Sequence, residues 1–374
     1  MACYERELFE RLMQSGVVTN LELIISPQCN LQCTYCYMKR HNLGSQSPIM
    51  DTSTINDAIR LWATVTKNNI PFDISLFGGE PLMHLNIVEY ILKLTEHNDL
   101  VKRIIIPTNA YFVNSDVENL MSRFPKLCLS LSVDGPFWDP KFRQPREEYR
   151  HLKLDYDYLI SLYYKFSPRV GFHPMIYAEG VEDTFKTFKY FLTNVNDRSQ
   201  AAEELIYFLP VRNPGTWSRE RISTLIHQLR ECYQFVKDNN YPLSKIKYNI
   251  LGDFTIPRGA TCTLQQTLTV AWDGNLYPCH RLIYPQYLYG NISNYPNWNF
   301  NRFFAFQLYH RNNTVLCQHC AVGRSLKCMG GCLGAQYEYF GDPFIPIPEI
   351  CQLIKAMTLN YKFITKQEDT YVLP

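Results

Sequence analysis

The sequence lacks a long apolar run. No window of this 374-residue chain approaches the roughly 18 uninterrupted apolar residues of a membrane-spanning helix. The opening MACYERELFERL places charges where a secretory signal would carry its apolar stretch. A bias of charge is missing as well: 37 Lys and Arg stand against 35 Asp and Glu, a formal balance of +2. Nothing in that balance asks for a polyanion, so the expectation is a cytoplasmic protein with no nucleic-acid partner and no membrane partner. Internal repeats and low-complexity tracts are absent too, which excludes solenoids and disordered linkers.

Cysteine is the residue present in excess, 13 in all. A chain this long has enough core to need no disulfide staples, and a reducing compartment would keep thiols reduced, so the count points to metal. The distribution sharpens this. Cys29, Cys33 and Cys36 fall together, seven more lie from Cys262 to Cys351, and the 225 residues between Cys36 and Cys262 hold only Cys128 and Cys232.

Between residues 18 and 240 short strand-like runs alternate with helix-period segments. LELIIS (21–26), DISLFGG (73–79), KRIIIPTN (102–109), CLSLSVD (128–134), RVGFHPMIY (169–177) and ELIYFLP (204–210) read as strands. TSTINDAIRLWATVTK, NIVEYILKLTEH, YDYLISLYYKF, DTFKTFKYFLTNV and RISTLIHQLRECYQFVKDN have the apolar spacing of helices. That repetition predicts an α/β fold of parallel strands with crossover helices, and on pattern alone an open sheet and a partial barrel both satisfy it. After residue 255 the texture turns to Pro, Asn, Gly and Cys, which predicts a small domain organised by metal. TLTVAWDGNLYPC reads as a hairpin about Asp273-Gly274, and IPEICQLIKAMTLNYKFITK as a last helix packing back on that domain. The expected boundaries are an N-terminal segment 1–17, a strand-helix domain 18–240, a bridge 241–258, a cysteine-rich domain 259–355 and a C-terminal helix and tail 356–374.

CNLQCTYCY is C-x3-C-x2-C just after the first expected strand. Three thiolates on one loop can hold three irons of a 4Fe-4S cubane and leave the fourth open to a ligand. A zinc knuckle is the plain alternative, but no fourth ligand follows at knuckle spacing. With Tyr35 before the last cysteine and Gly78-Gly79-Glu80-Pro81 ending the second expected strand, the chain resembles the radical S-adenosylmethionine (SAM) superfamily. The resemblance implies a partial (β/α)6 barrel of TIM-like kind. It also implies a cluster on Cys29, Cys33 and Cys36, SAM chelating the open iron, and the Gly-Gly-Glu-Pro segment against the methionyl amine. A glutamate at a strand's carboxyl end is placed to accept a hydrogen bond from that ammonium. Ser132 and Asp134 end the fourth strand and Thr108 and Asn109 the third, positions where such enzymes gather cofactor contacts. Arg143 falls where related enzymes often carry an arginine, although a solvated side chain is the expectation from its charged surroundings.

Cys262, Cys279, Cys317, Cys320, Cys328, Cys332 and Cys351 resemble the SPASM domain found on peptide-modifying members of that superfamily. The first four of the later run, Cys317, Cys320, Cys328 and Cys332, would suit one zinc by themselves, as in a zinc-stabilised binding protein without activity, but seven cysteines exceed what one tetrahedral ion uses. The resemblance implies two auxiliary 4Fe-4S clusters, three clusters in total. Cys317, Cys320, Cys328 and Cys351 would close the outer one, and Cys262, Cys279 and Cys332 the inner one with a fourth site open. His280 is a weak candidate for that site and a candidate base, since the related anaerobic sulfatase maturases carry an Asp at its position. The function implied is reductive cleavage of SAM to a 5'-deoxyadenosyl radical and hydrogen abstraction from a ribosomally made peptide, ending in a thioether or carbon-carbon crosslink. Formylglycine formation and oxidation or epimerisation of a small molecule are the rival chemistries. Expected partners are a peptide or protein substrate and an electron donor such as flavodoxin or ferredoxin. Many peptide maturases of this kind have an N-terminal leader-binding domain of about 80 residues; with 28 residues before Cys29, the expectation is that either a separate leader-binding protein or the barrel's own edge strand takes that role.

Overall fold

A computed structural model describes residues 2–195, 209–211, 216–241, 263–309, 314–320, 322 and 331–366. The chain divides into two compact units. The first comprises Met1–Ser130, Pro145–Leu154 and Ala260–His310, the second Leu131–Gln144, Asp155–Gly259 and Arg311–Pro374. This partition differs from the sequence boundaries: the front of the expected cysteine-rich domain belongs to the first unit. The bridge 242–258 lies outside the described residues.

In the first unit β1 (Asn20–Ser26), β2 (Phe72–Gly78), β3 (Val101–Thr108) and β4 (Leu127–Leu131) lie side by side in chain order. The β1–β2 and β2–β3 pairs are parallel, as the alternation predicts. β1 is buried from Leu21 through Ser26, the pattern of a central strand covered on both faces. β2 alternates buried and half-buried residues along its whole length. Helices Thr52–Thr66 and Leu85–Thr95 make the crossovers. Asp51 caps the first, accepting the Thr54 N–H at 2.7 Å, and Ile55, Ala58, Leu61, Trp62 and Val65 form its buried stripe. A third crossover helix, Ser115–Arg123, was not read from the sequence. It starts at Asn114, whose side chain accepts from the Asp116 and Val117 N–H groups.

The expected hairpin is present. After β5 (Val170–Phe172), β6 (Met175–Ile176) and β7 (Leu209–Pro210) in the second unit, β8 (Thr267–Val270) and β9 (Asn275–Tyr277) pair antiparallel. Gly274 supplies the turn with φ +78°. β8 also pairs parallel with β1, Asn20 opposite Thr267 through Leu23 opposite Val270, so the hairpin extends the sheet. β10 (Gly290–Asn291) closes the far edge against β9. The charged N-terminal segment is an amphipathic helix, Ala2–Gln14. Its Phe9 is fully buried and meets the rings of Trp298, Phe300 and Phe303 at 5.1–5.4 Å between centroids.

In the second unit the expected fifth strand is broken in two. Pro174 has no N–H to give a ladder, and the His173 N–H turns to the Leu131 carbonyl, so β5 stops at Phe172 and β6 pairs parallel with β7. Residues 204–208 of the expected sixth strand lie outside the described residues. Helices Tyr156–Phe166, Thr184–Asn194 and Arg219–Asp238 occur where periodicity places them. The last helix, Pro348–Lys366, packs on Arg219–Asp238. Arg230 donates to Asn360 at 2.9 Å and stands over the Phe363 ring. No helix among the described residues is long and apolar enough to cross a membrane.

Candidate functional site

β1 delivers the chain into the first cysteine loop. Cys33 is buried, and Cys29, Cys36 and Tyr35 are half-buried. The loop is fixed by backbone bonds, Cys36 N–H to the Cys33 carbonyl at 3.3 Å and Arg146 N–H to the Asn30 carbonyl at 2.8 Å. Sulfur at Cys29 faces the Leu31 N–H at 3.4 Å and the Asn109 amide at 3.7 Å. Burial, and then the charge of Glu80, pushes the Cys29 thiol up, a bias that thiolate ligation to a cation reverses.

Gly78-Gly79-Glu80-Pro81 lies directly against this loop. A Cβ on Gly78 would stand 2.2 Å from the Ser26 carbonyl oxygen and one on Gly79 2.1 Å from that of Gln28. The glycines therefore let two backbones touch. Gly79 N–H donates to Ser26 and Glu80 N–H to Gln28, both at 2.8 Å. The Glu80 carboxylate, expected to face an ammonium, is 1% exposed and turned inward. It accepts from Thr108 Oγ1 at 2.8 Å, Asn109 N–H at 2.7 Å and Leu82 N–H at 3.0 Å. Thr108 and Asn109, expected as cofactor contacts, are thus tied to the motif itself. Asn109 Nδ2 continues to Asn30 Oδ1 at 2.7 Å, which joins the ends of β2 and β3 to the cysteine loop. Pro81 begins the short turn Pro81–His84.

These residues fit a cluster and SAM on one observation. Asn30 Nδ2, beside Cys29, is fully buried with no acceptor among the described residues, a donor that a ligand oxygen or sulfide would satisfy.

A second constellation, at the β8–β9 hairpin, was only half read from the sequence. Cys279 follows β9 and is half-buried. The next residue, His280, holds Nδ1 2.8 Å from Glu22 Oε2, and Glu22 also accepts from Thr269 Oγ1 at 3.0 Å. The imidazole stacks on Phe77 at 4.0 Å and on Tyr37 at 5.5 Å. Arg281 stands 5.0 Å over the other partner of that stack, the Tyr37 ring. Glu22 was missed, although a lone acid inside a strand that is otherwise apolar is a usable signal, since a buried carboxylate needs a partner.

The remaining cysteines are placed one by one. Cys317 lies within the short helix Val315–Gln318 and Cys320 two residues beyond it, Cys332 precedes helix Leu333–Phe340, and Cys351 lies on helix Pro348–Lys366. Cys262 and Cys328 lie outside the described residues.

Ser132 is half-buried. Asp134 and Arg143 depart from expectation. Arg143 is 4% exposed, not solvated, and pairs with Asp139 at 3.1 Å and Asp134 at 3.6 Å. Burial is what the charge pattern of the segment could not reveal. Burial and then the neighbouring Asp134 push Asp139 up to about 7, and burial raises Asp134 too.

Residues 23–190 match the family model of the Radical SAM superfamily, and residues 262–321 that of the SPASM iron-sulfur cluster-binding domain. The radical SAM cyclopropyl synthase TigE of Paramaledivibacter caminithermalis is 21% identical over 95% of this chain and 76% of its own. Among solved structures, native anSMEcpe with bound AdoMet and Cp18Cys peptide superposes with TM-score 0.70 at 18% identity, covering 94% of this chain and 99% of that one. Streptococcus suis SuiB bound to precursor peptide SuiA gives TM-score 0.61 at 14% identity, covering 94% and 79%. The chain carries a Radical SAM superfamily domain over residues 23–190 and a SPASM iron-sulfur cluster-binding domain over residues 262–321.

Proposed function

We propose that the protein is a radical SAM peptide maturase that joins two positions of a ribosomally made peptide through a thioether or carbon-carbon bond. The Radical SAM domain implies a 4Fe-4S cluster and SAM, and the SPASM domain implies auxiliary clusters. Cys29, Cys33 and Cys36 would hold the first cluster. Cys262, Cys279 and Cys332 would hold an inner auxiliary cluster and Cys317, Cys320, Cys328 and Cys351 an outer one, three in all. Bound there, cluster and SAM supply a carbon radical strong enough to take hydrogen from an unactivated carbon. The chain's own part is positioning. Gly78 and Gly79 press the motif onto the cysteine loop, Glu80 locks the β3 end to it, and Asn30 offers its amide to the cofactor. Ser132 supplies a hydroxyl to SAM, and Tyr35 supplies the wall beside the cluster.

The peptide class is carried by one observation: two solved folds that each span 94% of this chain hold a peptide, the Cp18Cys peptide in one and the precursor SuiA in the other. A sulfatase-type maturation to formylglycine is the second reading. His280 in place of that branch's Asp counts against it, although an imidazole held by Glu22 at 2.8 Å can still serve as a base.

The test is anaerobic incubation of the reconstituted enzyme with SAM, a reductant and the peptide encoded beside the gene. Loss of two hydrogens in proportion to 5'-deoxyadenosine supports the crosslink, with fragmentation locating it. An aldehyde at a Cys or Ser side chain would instead establish the second reading, and an unchanged peptide mass with SAM still cleaved would overturn both.

A further inference from the structure

The turn that leaves β4 encloses two acids that share one base. Asp134 is 0% exposed, Asp139 2% and Arg143 4%. Two ionised carboxylates beside one guanidinium would leave a net negative charge with no water around it, a state proteins avoid by holding a proton.

The hydrogen-bond inventory tells which acid holds it. Asp139 faces donors on both oxygens. It accepts the Asp134 N–H at 3.1 Å, the Gly135 N–H at 2.9 Å and the Tyr156 hydroxyl at 2.9 Å, and Arg143 Nε stands 3.1 Å away. Three hydrogen-bond donors with a guanidinium alongside are the surroundings of a carboxylate. Asp134 is different. Its Oδ1 accepts a single N–H, from Met175 at 2.7 Å. Its Oδ2 meets the Tyr177 hydroxyl, a group able to accept as well as donate, and the guanidinium lies farther off at 3.6 Å. Other titratable groups on the packed segments do not change the balance. Burial holds His173 neutral by pushing it down to about 4, and Lys141 is spent on Asp183 at the surface, 2.9 Å away.

We propose that Asp134 is a neutral carboxylic acid in the working enzyme, its single proton shared with Tyr177, and that this proton keeps the segment Leu131–Gln144 closed on Met175–Tyr177. Asp134 is then a positioning residue: the same segment begins with Leu131 and Ser132, so the proton fixes the strand end that carries Ser132. Tyr177 is held from its other side, its ring stacked on Phe142 at 4.0 Å and edge-on to Trp138, whose indole N–H donates to the Gly180 carbonyl at 3.0 Å.

Infrared spectroscopy of the reconstituted holoenzyme at pH 8 tests this, because exposed carboxyls are ionised there. The expected result is a C=O band of a protonated carboxyl that Asp134→Asn removes. That variant keeps the Met175 acceptor and should melt at or above the wild-type temperature, while Asp139→Asn, which strips Arg143 of its carboxylate, should melt lower. Absence of the band in wild type, or its survival in Asp134→Asn, overturns the proposal. Should Asp134→Asn not fold, 13C labelling of aspartate carboxyls in the wild type and in Asp139→Asn decides instead. A band that shifts with the label and persists in Asp139→Asn supports Asp134; one that does not shift, or that Asp139→Asn removes, sinks the assignment.

Discussion

Gly79 stands where no side chain fits: an added Cβ would lie 2.1 Å from the carbonyl oxygen of Gln28, which itself accepts the Glu80 N–H at 2.8 Å. The obstacle is backbone, so a rotamer change cannot relieve it. Gly79→Ala should therefore push the cysteine loop off β2 and destabilise the protein by about 1–3 kcal/mol. The expected signature is lower iron at the first cluster together with a lower melting temperature, and wild-type iron content would refute it.

Glu80 holds three donors at once, and removing its carboxylate strands all of them in a dry site. Glu80→Ala should cost on the order of 3 kcal/mol or more, whereas Thr108→Val, which removes one donor and leaves the carboxylate with two, should cost about 1 kcal/mol. Chemical denaturation of the two variants side by side would check the ranking; equal losses would mean that Glu80 is not the hub.

The two cysteine sets should separate by function. Cys33→Ala should abolish formation of 5'-deoxyadenosine, since the first cluster loses a corner. Cys279→Ala should keep SAM cleavage and lose the peptide product. Product formation at the wild-type rate in Cys279→Ala would remove that cysteine from the mechanism.

Stability should fall on the acid side because of His173. Burial pushes its folded-state value from 6.5 to about 4, so the unfolded chain binds a proton between those limits that the folded one refuses. The stabilisation is therefore full above about 6.5 and is lost as pH falls toward 4, by on the order of 3 kcal/mol. His173→Gln should flatten this part of the pH–stability curve, measured by denaturant midpoint; an unchanged slope would show that other groups set it.

Much of this was legible because periodicity and spacing are local. Strands β1 to β4 and five helices sit where two-residue and 3.6-residue patterns place them, and C-x3-C-x2-C marks its loop without help from the fold. What could not be read depended on partners distant in sequence. The spacing placed Glu80 at a strand end but could not show that Thr108 and Asn109 supply it with donors. Arg143 looked solvated because its neighbours are charged, yet Asp134 and Asp139 bury it. Helix Ser115–Arg123 escaped notice because it is short and its apolar stripe is only Val117, Leu120 and Met121.

The parallel pairing of β8 with β1 carries one more consequence, for how the chain can be cut. Six of the seven residues of β1 are buried. Without the hairpin, its N–H and C=O groups from Asn20 to Leu23 would form a bare sheet edge next to Ile24 and Ile25, the template on which other chains add strands. A truncation before residue 260 would thus trade a metal-binding segment for a self-association surface, and the SAM-cleaving half should precipitate when made alone. The auxiliary hairpin is in this sense the solubility guard of the barrel sheet.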